Sequence, residues 1–169
     1  MKEWICDKCG EVIEKAEDGY FEWKKNDADL NYGFRIVHFK TCQYNENLFA
    51  EDEYLQDLQL DEFVGADGLV RLLDLLSKRK FRDINEFLEV FHRLQVPFYE
   101  EARTYFEKAL DDGYIEDIHD RGNKFSHSSI AIINKYANQE KRLSNTEILG
   151  HSSAETTRKF YADQSQERS

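Results

Sequence analysis

The chain has 169 residues, 34% of them charged, and a net charge of −11. At this length a fold buries roughly 70% of its unfolded surface, so a hydrophobic core suffices without a disulfide scaffold. No run of about 18 apolar residues argues for a membrane span, and the start MKEWICDKCGEV has no apolar signal core, so the expected compartment is the cytoplasm.

The charge is uneven. Residues 1–62 carry 16 acids against 7 bases, and residues 63–113 carry 10 against 8. DNA affinity is built from neutralised phosphates, so an acidic N-terminal third disfavours nonspecific DNA binding. Acidity of this kind keeps a protein soluble, or presents a surface to a basic partner.

Residues 3–44 read as β structure. WICDKCGEVI suggests a short strand, a tight Cys-Gly turn and a returning strand. GYFEWKK at 19–25 alternates aromatic and polar residues, as a half-buried strand does, and GFRIVHF at 33–39 repeats the pattern. Residues 45–62 are acidic with sparse apolar positions and read as a connector.

From residue 63 the period becomes helical. Leu69, Leu72, Leu73 and Leu76 fall on one helical face, with Asp67 near its start. Lys78, Arg79, Lys80 and Arg82 form a basic link, expected to be a solvated turn. Asp83 is placed to cap a helix whose apolar face is Ile84, Phe87, Leu88 and Phe91. Pro97 suits a first helical turn, and Gly113 the end of that helix. HSSIAIINKYAN predicts a further helix. SNTEILGH and SAETTRKFYAD predict two short ones capped by Ser144 and Ser153, with Glu147 at capping-box spacing from Ser144.

All three cysteines belong to one constellation with a histidine. Cys6-Asp-Lys-Cys9-Gly is followed, 28 residues on, by His38-Phe-Lys-Thr-Cys42. Three sulfurs and one imidazole are the donors of a closed tetrahedral zinc site. A C-x-x-C lets two thiolates from one turn reach one ion, and the glycine after it relaxes the turn. The arrangement resembles a zinc ribbon, with an H-x-x-x-C where the common ribbon has a second C-x-x-C. That resemblance implies a structural zinc held by Cys6, Cys9, His38 and Cys42. Buried thiols without metal, or a redox pair at Cys6 and Cys9, are the other readings. His92 and His119 are spare histidines.

The stretch LGHSSAETTRKFYAD at 149–163 resembles the last motif of tyrosine recombinases (phage integrases). The resemblance implies His151 as the assisting histidine and Tyr161 as the nucleophile toward a DNA phosphate. A phenol is a weak nucleophile at neutral pH and needs activating partners, and the transition state needs cationic donors. The family's two arginines are missing: the place of its His-x-x-Arg reads His127-Ser-Ser-Ile130. Leu149, Ala154, Thr157 and Tyr161 also suit one apolar helical face.

The sequence therefore predicts an α+β protein: a zinc-ribbon-like β module with acidic connector over 1–62, a helical domain of five or six helices over 63–163, and a disordered tail over 164–169. The expected function is non-enzymatic, a zinc-binding protein of phage or mobile-element type working through a protein partner. The alternatives are a recombinase-related DNA-binding or strand-transfer protein and an acidic inhibitor that mimics nucleic acid.

Overall fold

A computed structural model describes residues 2–115 and 127–164, with side chains for 2–115 and 129–148. The architecture is α+β. Two short strands, β1 (Trp4–Ile5) and β2 (Val12–Ile13), pair antiparallel. β3 (Gly19–Asn26), β4 (Asn31–His38) and β5 (Glu53–Gln59) form an antiparallel sheet of order β4-β3-β5. The helices are α1 (Gly65–Ser77), α2 (Ile84–Gln95), α3 (Tyr99–Asp111) and α4 (His127–Gln164). The chain divides into two compact units, with the boundary between Glu100 and Glu101, inside α3.

The β3–β4 hairpin forms where the aromatic-polar alternation predicts it. Phe21 faces Ile36 across the ladder. The register shifts between Glu22 and Lys24, and the extra residue lies on β4, where Gly33 has a φ of +65°. Glycine takes that left-handed conformation without the Cβ penalty other residues meet, the usual device of a bulge. The inner face of the sheet carries Phe21, Trp23, Phe34 and Ile36, all buried. Phe63 stands edge-on to Phe21 at 4.7 Å, and Phe87 approaches Phe34 at 5.4 Å. Leu72 of α1 and Phe87, Val90 and Leu94 of α2 close this core.

The connector expected over 45–62 contains β5, which pairs with β3 along its whole length from Asn26↔Glu53 to Tyr20↔Gln59. Leu60 and Phe63, in the 3-10 turn that follows, are both core residues. The strand was hidden because its side chains are only partly buried, so acids and glutamines occupy positions a core strand would give to apolar residues.

The described residues hold four α-helices rather than five or six. The difference lies in α4, which runs unbroken through the three helices predicted over 127–163. Ser144 and Glu147 lie inside it, exposed, instead of capping a new start. Extending an existing helix adds one bond per residue fixed, whereas a fresh start costs a nucleus. The Thr146 hydroxyl donates back to the Arg142 carbonyl at 2.8 Å, so a polar residue is accommodated within the helix. Residues 165–169, the greater part of the expected tail, lie outside the described residues, as does His119.

Other local expectations divide. The Asp83 side chain accepts from Asn85 N–H at 2.9 Å and caps α2 as expected. Gly113, with a φ of +71°, follows α3 and donates to the Leu110 carbonyl. Pro97 stands two residues ahead of α3 rather than in its first turn. Proline holds Val96 extended, at φ −84° and ψ 122°, and Phe98 then reverses the chain with a φ of +63°. On α1, Leu72 is buried, but Leu69 and Leu73 are exposed, so the core meets one edge of the predicted face. The basic link is fastened to the hairpin: Asn31 N–H donates to the Lys80 carbonyl, and Arg82 N–H to the Asn31 carbonyl.

In the second unit, α3 and α4 are joined through Tyr136. Its ring meets Tyr105 edge-on and its hydroxyl donates to Asp112. Lys108 Nζ donates to Tyr136 at 2.6 Å and to Glu140 at 2.7 Å. Ile130, Ile133 and Ala137 give this part of α4 its buried face.

Candidate metal centre

The Cys6–Cys9 loop is a tight turn between β1 and β2. The Cys6 N–H donates to the Glu11 carbonyl at 2.9 Å, and the Gly10 N–H returns to the Cys6 carbonyl at 3.0 Å. Gly10 has a φ of +76°, which explains the glycine after the second cysteine. His38 ends β4, opposite Gly19. Four residues on, the Cys42 N–H donates to the His38 carbonyl at 3.3 Å, so the H-x-x-x-C is itself a turn.

These two turns bring the predicted ligands together. The Sγ atoms of Cys6, Cys9 and Cys42 and a ring nitrogen of His38 all lie within 4.8 Å of one another. Ligands on a zinc-sized tetrahedron, with Zn–S near 2.3 Å, stand about 3.8 Å apart, so the cluster is at the scale of one ion. Cys6 and Cys42 are buried, Cys9 is exposed and His38 is half-buried.

His38 Nε2 lies 3.2 Å from the Val12 carbonyl, an acceptor suited to a proton on Nε2, and Nδ1 lies 3.4 Å from Cys9 Sγ. A backbone carbonyl behind a histidine is the usual second partner of a metal-bound imidazole.

The thiols are electrostatically uneven. Burial works against the Cys6 thiolate, but backbone N–H groups of Cys9, Lys8 and His38, with the Cys9 thiol, outweigh it and bring its pKa down to about 6. Cys6 is thus largely a thiolate at neutral pH, the form that binds metals. For Cys9 the Glu11 N–H favours the thiolate, but desolvation and the Cys6 and Cys42 sulfurs prevail and push its pKa up. Sulfurs crowded this way resist ionising together, and a divalent cation among them removes the conflict. The donor set and its spacing are compatible with a metal ion such as zinc.

A polar cluster around the buried Arg93 adjoins the centre, which sequence reasoning missed. Asp7, inside the C-x-x-C, accepts from Arg93 Nη1 at 2.9 and 2.7 Å. Arg93 also donates to both oxygens of Glu100, at 2.8 and 2.9 Å, and to the Ile5 carbonyl. An arginine inside the otherwise apolar stripe Phe87, Val90 and Leu94 was the available signal.

The other predicted residues do not join the site. The His92 ring stacks on Tyr99 at 5.2 Å. His151 and Tyr161 both belong to α4, ten residues apart, and their side chains lie outside the described residues. No family model, curated protein or solved structure matches the chain.

Proposed function

We propose that the protein is a non-enzymatic binding protein whose N-terminal β module is closed by a structural zinc and which acts through protein–protein contacts. The observation that carries this reading is the convergence of Cys6, Cys9, Cys42 and His38 on one ion-sized volume. Four protein donors leave no open coordination position, so the ion's role would be structural rather than catalytic. The thiolate character of Cys6 and the carbonyl behind His38 favour the same assignment.

Contact surfaces are available for a partner. Val70 and Leu73 on α1 are exposed apolar side chains, of the kind that anchor interfaces. Strand transfer is the less favoured reading. Residues 151 and 161 stand ten apart on α4, and the arginines that the recombinase family places around the phosphate are missing from the matching positions, such as His127-Ser-Ser-Ile130. The recombinase resemblance of the tail fits an origin in a phage or mobile element.

The experiment is metal analysis of the purified protein with native mass spectrometry, before and after chelation. One zinc per chain, with loss of the near-UV signal of Trp4 and Trp23 on chelation, is the expected result. Metal-free protein with an unchanged fold would overturn it.

A further inference from the structure

Arg93 is a cation in the core, 2% exposed, and among the largest fully buried side chains of the described residues. A buried charge is tolerated only while its partners are in place. Its partners come from two places. Glu100 lies across the α2–α3 corner, while Asp7 and the Ile5 carbonyl belong to the strand and loop that carry Cys6 and Cys9.

Asp7 is also fastened to the element that supplies His38. Its N–H donates to the Ile36 carbonyl at 2.8 Å, and its carboxylate accepts from Ile36 N–H at 2.7 Å. Ile36 is two residues before His38. From the corner side, the Trp4 indole donates to the Arg93 carbonyl at 3.3 Å, Lys2 donates to the Leu94 carbonyl, and Ile5 N–H donates to Glu100 at 2.9 Å. The segment 93–100 therefore closes on the same loop that the ligands close from the other side.

We infer that Arg93 is a positioning residue for the Cys6–Cys9–His38–Cys42 centre, and that metal binding and closure of the α2–α3 corner are one coupled equilibrium. The inference rests on the metal reading proposed above. Metal loss frees the Cys6–Cys9 loop, Asp7 leaves with it, and the guanidinium keeps a single carboxylate. Conversely, the intact corner holds the loop in its ligating shape. The coupling is reciprocal by thermodynamic necessity.

The test uses Co(II) as probe, titrated in competition with a chelator into three proteins: the native chain, the double variant Arg93→Met/Glu100→Gln, and Arg71→Met. Arg71 sits in an exposed ion pair with Glu62 and is the control. The double variant should bind Co(II) 10- to 100-fold more weakly, the usual effect of losing an outer-shell partner, while its absorption at saturation still reports sulfur-rich tetrahedral coordination. Arg71→Met should stay within about twofold of native.

Hydrogen exchange separates positioning from a general structural role. In the native chain, metal should slow exchange of the Val96 and Tyr99 amides, which donate within the corner to the His92 and Val96 carbonyls. In the double variant metal should no longer affect them. Should the double variant fail to fold, Arg93→Lys keeps the charge but loses the two-pronged fork, and must also weaken Co(II) binding. Equal affinity in native and variant, or corner exchange indifferent to metal in the native chain, overturns the coupling and leaves the metal reading standing. No Co(II) binding by the native chain overturns both.

Discussion

At the scale of single residues, stability rests on polar groups placed where only one partner geometry serves. Tyr32 is buried, and its hydroxyl donates to Glu53 at 2.6 Å. Burial and that carboxylate push the Tyr32 phenol up to about 12. The Tyr32 hydroxyl and the Ala50 N–H, helped by Lys24, hold Glu53 down at about 2. The signs give opposite windows. The Glu53 contribution is complete above the ordinary carboxylate value near 4.5 and is lost as pH falls through about 2. The Tyr32 contribution is complete below its ordinary value near 10 and is lost as pH rises through about 12. Tyr32→Phe should lower the unfolding free energy by about 1–2 kcal/mol in urea titrations at pH 7, and should flatten the stability loss below pH 4. At the candidate metal centre, Cys42→Ser removes one of the clustered sulfurs, and on the structural-zinc proposal metal analysis should find about one zinc per native chain and none in the variant.

At the scale of elements, close packing governs the junction between the Leu60–Phe63 turn and α1. A Cβ on Gly68 would lie 2.1 Å from the Phe63 carbonyl carbon, which is backbone and cannot turn away. Gly68→Ala should therefore destabilise by about 3 kcal/mol, at the upper end of ordinary overpacking, measured as a lowered denaturation midpoint at unchanged m-value. On the opposite side of the core, Phe87 is fully buried and touches the rings of Phe34, Phe81 and Phe91. Phe87→Ala should cost about 3–5 kcal/mol by the same measurement. The outer face of the sheet is held differently. Glu22 is fully buried there, yet it accepts from Arg35 at 2.6 Å and from the Tyr44 N–H at 3.0 Å. Burial raises its pKa, against Arg35 and Tyr44, which lower it. Arg35 in turn lies over the Tyr44 ring at 3.4 Å, so the segment after Cys42 is tied to the sheet by charge as well as by packing.

At the scale of the whole molecule, net charge and helix continuity bear on what the protein contacts. With a charge of −11, a duplex DNA probe should show no shift at physiological salt, and incubation with DNA should yield no covalent adduct that Tyr161→Phe removes. An adduct that this substitution abolishes would restore the strand-transfer reading. Among the described residues no helix is long and apolar enough to cross a membrane.

The sequence alone was enough for whatever depends on neighbours along the chain. The alternation in β3 and β4, the Asp83 cap, the Gly113 stop and the two pairs Cys6 with Cys9 and His38 with Cys42 are local patterns, and spacing within a turn is readable from residue order; that the two pairs meet is the work of the fold. Tertiary structure decided the rest, because it depends on partners distant in sequence. β5 became a strand only by pairing with β3, and its partly exposed face gave it no apolar signature. The helices expected over 127–163 form one continuous α4, in which 141–148 is exposed. Arg93 found Asp7, 86 residues away, in a core whose apolar stripe alone would have placed a hydrophobe there.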